Sequence, residues 1–208
     1  MTDHMLTVSG LDFMPIQLMP GDVRINDIAH ALSLICRFGG HTVEHYSVAQ
    51  HSLLVQRILE DMNASPEVQL AGLMHDAHEA YIGDMPTPIK TAIGYCWNSL
   101  EQQASQAVQS AFGLNRISNK YKKMIKTADI IALATERRDL MRFDANYNLA
   151  WDILDGVSPF HEPATSGSWS PHWWADLFLD QFMKLRDTAA IRFAKMTTDC
   201  NLNQQTMR

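Results

Sequence analysis

Apolar residues recur at three- and four-residue spacing along much of the chain, over Ile28–Phe38, Val48–Met62, Val68–Ile82, Leu100–Phe112 and Tyr121–Leu140. That period puts one apolar stripe on each helix and predicts an all-α fold. Helix-start signals agree with the stripes. Asn26-Asp27 precedes the first run, Ser47 the second, and Ser65-Pro66-Glu67 sets a capping residue ahead of a proline and an acid. Gly39-Gly40 breaks the chain after the first run, and Gly83-Asp84-Met85-Pro86-Thr87-Pro88 ends the third, because proline cannot extend a helical ladder. Residues 156–171, rich in Gly, Ser, Pro and Thr, predict a long loop before a last helix over His172–Met196, and the final TDCNLNQQTMR reads as frayed. With no internal repeat or heptad series, one domain over residues 1–208 is expected. Its chemical core lies at about 26–140, and residues 141–208 complete it with the loop and last helix.

Polar residues interrupt these stripes at a few places. His51 shares its helix face with Val48, Leu54, Val55, Ile58 and Met62, and Asp129 sits on the face of Ile125, Ala132, Leu133 and Leu140. Between them, at roughly 100° per residue, His75, Asp76 and Glu79 fall within about one third of a helix circumference. A buried imidazole or carboxylate must find a partner, or it is costly and changes protonation. Taken singly, His51 reads first as a hydrogen-bonded core histidine and Asp129 as a carboxylate paired with arginine or metal. Taken together, three helices each place a ligand type on a core stripe, and a shared cation held by His51, His75, Asp76 and Asp129 satisfies them all. Glu136, two turns beyond Asp129 on the same face, is expected in a buried ion pair with a neighbouring helix.

Composition narrows the function. A chain of 208 residues with 46% hydrophobic content can bury a core without disulfides. Cys36, Cys96 and Cys200 are odd in number and form no CxxC pair, which suggests reduced thiols and a cytoplasmic protein. The opening MTDHMLTVSG lacks the basic start and apolar run of a signal peptide, and no segment has the length of a membrane span. A net charge of −6 argues against wide contact with a nucleic-acid backbone and leaves a small anionic substrate as the fitting partner. The many methionines and aromatics are compatible with a homodimer, although no stripe declares an interface.

The segments ICRFGGHTVEHYSVAQHS, LMHDAHEAYIGDMPTPIK and ADIIALATERRD put His51, His75-Asp76 and Asp129 in the order H…HD…D. This resembles the HD-domain metal-dependent phosphohydrolases, and among them the bacterial 5′-deoxynucleotidases and their YfdR-like relatives. The resemblance runs from about Asn26 to Leu140, and GDMPTPIK with Arg37-Phe38 carries most of its specificity. It implies an HD helical bundle, a nucleotide substrate and one divalent transition metal ion. The mixed nitrogen and oxygen donors suit Mn, Fe, Co, Ni or Zn better than Mg or Ca. Glu79, one turn after His75, is the candidate for handling the attacking water, with a supporting bond to His75 as the other reading. Asp84 matches an active-site position of the subgroup, at the leaving oxygen or the sugar; a turn-capping role competes. Arg37 would grip the phosphate through its planar fork, with Lys90, Thr87 and His78 as further contacts. Phe38 stands where the subgroup carries tryptophan, so the wall against the sugar has a different shape. His41 and His45 are additional acid-base candidates, while Trp151, Trp169, Trp173 and Trp174 are expected to pack rather than line a base pocket.

The function expected from these residues is metal-dependent 5′-dephosphorylation of deoxynucleoside monophosphates. Two alternatives stand beside it: a deoxynucleoside triphosphate triphosphohydrolase, marked by tripolyphosphate as product, and a nucleotide-sensing module without turnover. The complete ligand set and Glu79 argue against the sensor. An alarmone hydrolase is disfavoured, since Ala80 follows Glu79 where that group resembles HDxxED.

Overall fold

The computed structural model describes the backbone of residues 3–206 and the side chains of residues 3–191. A small antiparallel hairpin, β1 (Met5–Leu6) with β2 (Asp12–Phe13), precedes a set of helices. These are α1 (Ile25–Leu34), α2 (Val48–Asp61), α3 (Pro66–Leu73), α4 (Glu79–Ile82), α5 (Thr87–Ile93), α6 (Tyr95–Ala111), α7 (Asn115–Lys120), α8 (Lys122–Leu140) and α9 (Pro171–Thr206). The chain is therefore all-α, as its periodicity predicts. The hairpin is tied to α1 by Asp27, which accepts hydrogen bonds from the Ser9 amide at 3.0 Å and the Ser9 hydroxyl at 2.8 Å.

Helix α2 is the axis of the bundle, packed by α1, α3, α8 and α9. It is buried on nearly every side, polar Gln50, His51, Ser52 and Gln56 included. One apolar cluster, with Ile28, Leu32, Leu73, Val108 and Phe178, joins α1, α3, α6 and α9. A second, with Leu54, Ile58, Val68, Ala128 and Leu140, joins α2, α3 and α8. Helix α3 contributes to both, so the turn that follows it emerges between them. Gly72 sets the close approach of α3 to α2, since a Cβ there would lie 2.1 Å from Leu59 Cδ1. Ser47 starts α2 with a capping box: its hydroxyl accepts from the Gln50 amide at 3.3 Å, and Gln50 Oε1 accepts from the Ser47 amide at 3.0 Å.

Several boundaries differ from the periodicity. The first helix begins at Ile25, so Asn26-Asp27 lie inside it, and it stops at Leu34 instead of Phe38. Beyond Leu34 the backbone is captured by a distant segment: Arg37 N–H donates to Tyr46 O at 2.9 Å and Val48 N–H to Ile35 O at 3.0 Å. This bridge, centred on Cys36 and Ser47, replaces the helical ladder. Phe38 (φ 55°) and Gly39 (φ 61°) then reverse the chain through the left-handed region, at a steric cost for the phenylalanine. The expected helix over Val68–Ile82 is also interrupted, because α3 ends at Leu73 and residues 74–78 form successive turns. There Gly72 O receives both the His75 amide at 3.3 Å and His75 Nδ1 at 2.7 Å, which tightens the winding. The long segment before α9 is packed, with Leu154, Phe160 and Ala164 buried. Helix α9 runs beyond Met196 to Thr206, so the stretch expected to fray is helical that far, and the last two residues lie outside the described part. Among the described residues no helix is long and apolar enough to cross a membrane.

Candidate metal centre

Three stretches of chain bring the four predicted ligands together: α2 supplies His51, the turns after α3 supply His75 and Asp76, and α8 supplies Asp129. His51 Nε2 lies 3.4 Å from His75 Nε2 and 3.5 Å from Asp76 Oδ2, and His75 Nε2 lies 3.1 Å from the same carboxylate oxygen. Asp129 Oδ1 is 3.2 Å from His51 Nε2 and 3.9 Å from His75 Nε2. Donor atoms held about 2.1 Å from one ion are spaced about 3.0–3.4 Å apart, so most of these separations match neighbouring corners of a coordination shell. His51, His75 and Asp76 converge as a mutual group, with no separation above 3.5 Å, and Asp129 joins it through the two imidazoles.

The outer nitrogens of both rings are already committed. His51 Nδ1 donates to Glu136 Oε1 at 2.7 Å, and His75 Nδ1 donates to Gly72 O at 2.7 Å. Each bond selects the tautomer whose Nε2 lone pair faces inward, the arrangement a metal-bound histidine needs. Two such nitrogens 3.4 Å apart need a proton or a cation between them, so a cation that binds here takes the place of a proton. Burial and Arg37 lower the His51 pKa, but Glu136 and Asp129 outweigh them and push it up to about 9. Burial raises Asp76 and Asp129, and the adjacent imidazoles overcome it, holding both carboxyls well below the usual range. Both acids are thus ionised and ready to bind a cation.

The sequence profile of the 5′-deoxynucleotidase YfbR-like family matches residues 27–139, the span that contains the whole cluster. This chain belongs to that family. It is similar to the uncharacterized protein YfdR of Escherichia coli K12, at 35% identity over 181 residues, covering 87% of this chain and 94% of YfdR. It is also similar to an uncharacterized protein of Rhodobacter capsulatus, at 39% identity over 131 residues, covering 60% of this chain and 66% of that one. Membership in the YfbR-like family supports an HD-type nucleotide phosphohydrolase.

Around the candidate ligands of this YfbR-like chain the other predicted residues separate into two groups. Arg37, Glu79 and Asp84 gather at the cluster. Arg37 Nη1 is 3.8 Å from Asp76 Oδ2 and 4.0 Å from Asp84 Oδ2, while Nη2 is 3.4 Å from Glu136 Oε2. Phe38 lies under the Arg37 guanidinium and 6.4 Å from the Trp151 ring, so Trp151 reaches the edge of the site. Burial, Asp76 and Asp84 push the Glu79 carboxyl well up, and its Oε2 is buried with no hydrogen-bond partner among the described residues. Asp84 is likewise raised, by burial against the pull of Arg37.

Lys90 and His78 turn to a different partner. Lys90 Nζ is 2.5 Å from Glu101 Oε1 and 3.9 Å from Glu79, and His78 Nε2 is 3.8 Å from Glu101. Thr87 is exposed in the first turn of α5, and no hydrogen bond among the described residues ties its hydroxyl to the cluster. His41 and His45 are exposed, Trp169 and Trp173 stack on each other, and Trp174 is buried in the core. Glu136 does form the expected buried ion pair, but its partner Arg37 sits in a tight reversal of the chain instead of a neighbouring helix, and its bond to His51 goes beyond the expected pair. The two-turn spacing from Asp129 was the available signal. Glu101 carried none.

Proposed function

We propose that this chain removes the 5′-phosphate from deoxynucleoside monophosphates, using one divalent transition metal ion held by His51, His75, Asp76 and Asp129. The observation that carries the reading is the pair of inward-facing Nε2 atoms, fixed by Glu136 and Gly72 O beside two ionised carboxylates. An ion bound there supplies Lewis acidity, polarising a phosphoryl oxygen and lowering the pKa of a bound water. The remaining steps belong to the side chains. Glu79, with its free buried oxygen and raised pKa, exchanges protons with the attacking water and the departing alkoxide. Arg37 holds the phosphoryl oxygens with guanidinium donors that its ion pairs leave free. Asp84 steadies Arg37 and faces the leaving oxygen, and Phe38 with Trp151 walls the sugar side. Free Cys36 and Cys96 fit a reducing cytoplasm.

The test is a metal-by-substrate panel on protein stripped of metal, then loaded separately with Mn, Fe, Co, Ni or Zn, with metal content measured before each assay. Phosphate release from deoxynucleoside monophosphates, lost in His75→Ala and Asp76→Ala, is the expected result. Full activity in the stripped protein would overturn the reading.

A further inference from the structure

A cleft of about 290 Å³ opens directly on the metal cluster, with His75 and Asp129 in its wall. Its other polar lining comes from Ser105 and Gln109 on α6, Ser118 and Asn119 on α7, and Lys122 and Lys126 on α8. Arg37, Phe38, Asp84 and Thr87 do not line it. The two lysines are one turn apart, and Asp129 follows within another turn, so the ammonium groups form a short ladder leading away from the ligand. The spacing is about 6 Å along the axis per four residues. Asp129 uses Oδ1 toward the imidazoles and Oδ2 toward Lys126 Nζ, at 2.7 Å. Lys126 is 59% exposed, so that pair holds its ammonium at little cost and leaves its other donors free. Lys122 forms no ion pair with any described residue. Apart from Asp129, the lining offers cations and neutral donors, the chemistry that binds a phosphate.

The size of the cleft limits its occupant. Pockets that enclose a whole small molecule run to about 300–1,000 Å³, so this one, at the small end, has room for a phosphoryl group and part of a sugar. We propose that the cleft is a subsite for a second phosphate, so that deoxynucleotides carrying two phosphates bind better than those carrying one. This rests on the hydrolase reading above and widens its substrate class from deoxynucleoside monophosphates to deoxynucleotides that carry a second phosphate. The second phosphate can come from a 5′-diphosphate chain or from a 3′-phosphate, and the experiment separates the two.

Steady-state kinetics on the metal-loaded protein compare a deoxynucleoside 5′-monophosphate with its 5′-diphosphate and its 3′,5′-bisphosphate. One lysine–phosphate contact corresponds to about a tenfold gain, so KM for one of the doubly phosphorylated compounds falls by about that factor. Lys122→Gln and Lys122→Gln/Lys126→Gln collapse the preference stepwise, and the compound that responds shows where the second phosphate sits. Equal KM values for all three compounds, or a preference that survives both variants, would overturn the proposal. Calorimetry of inorganic pyrophosphate against orthophosphate on the same protein reads the subsite without turnover. Lysine-dependent preference for pyrophosphate with no nucleotide hydrolysed would refute the hydrolase reading and retain the subsite; equal binding would refute the subsite alone.

Discussion

Glu136→Gln removes one charge from the carboxylate that touches both halves of the site. Glu136 is fully buried, with one oxygen 2.7 Å from His51 Nδ1 and the other 3.4 Å from Arg37 Nη2. Deleting one partner of a buried ion pair costs about 3–5 kcal/mol, and glutamine, which keeps an acceptor at the same place, belongs at the lower end, about 3 kcal/mol. For a chain of this size that lowers Tm by about 6–12 °C. Weakening the group that orients a ligand histidine also costs about 10–100-fold in metal affinity.

The pH dependence sharpens the test. The His51 pKa is raised from 6.5 to about 9, so in metal-free protein this proton stabilises the fold fully below pH 6.5 and the contribution is lost as pH rises through 9. Metal binding must expel the same proton, so apparent affinity at pH 7 falls about 100-fold short of its value above pH 9. Glu136 is the largest influence raising His51, so Glu136→Gln moves the break in the affinity–pH curve to lower pH. At pH 7 the lighter proton penalty partly masks the lost orientation; above pH 9 the orientation loss stands alone. Chelator-buffered titrations at several pH values, with thermal melts of the metal-free protein, measure each part. A variant within twofold of wild type in metal affinity above pH 9, with an unmoved break, would refute the assigned role of Glu136.

Gly72→Ala forces a Cβ to 2.1 Å from Leu59 Cδ1, which should destabilise by about 1–3 kcal/mol and weaken metal binding, since Gly72 O also holds His75. Adding Leu59→Ala should recover part of the metal affinity despite its own cavity cost, as read by titration of the single and double variants. Ser47→Ala breaks the α2 capping box and should cost about 1 kcal/mol in denaturant unfolding while leaving metal stoichiometry intact. Glu79→Gln should retain metal and lose about 10²–10⁴-fold in phosphate release, and its proton role fails if kcat is preserved.

The candidate ligand types were legible because a His or Asp on an apolar stripe is anomalous within a single helix, and such anomalies need no knowledge of the fold. The surroundings were less legible because distant backbone decides them. Arg37 falls within the helical period from Ile28, yet the pairing of Cys36 with Ser47 ends the helix at Leu34 and turns the guanidinium into the site. His75 fits a helix continuing from Val68, but its ring competes for the Gly72 carbonyl and the ladder tightens into turns. Lys90 reads as a phosphate contact from its place after GDMPTP, whereas Glu101, eleven residues on, draws it to α6. In each case the local pattern identifies the residue's chemistry, and a long-range contact sets its aim.

Arg37 shows why such aim matters. Burial opposes its charge, and Glu136, Asp84 and Asp76 outweigh burial, so the guanidinium remains ionised. Of those three acids, only Glu136 is within hydrogen-bond reach, at 3.4 Å; Asp76 and Asp84, at 3.8 and 4.0 Å, attract the group without occupying its donors. Its Nε, buried, has no partner among the described residues. The guanidinium is therefore fixed by charge but unsaturated in hydrogen bonds, which is the state in which donors can stabilise incoming phosphoryl oxygens without first breaking bonds of their own. Since the carboxylate that fixes Arg37 also orients His51, the proposed function couples metal affinity to phosphate affinity through Glu136. A site in which separate residues performed these two tasks would let one be lost without the other; here removal of a single charge from α8 should weaken both, as titrations of metal and of phosphate on Glu136→Gln would read.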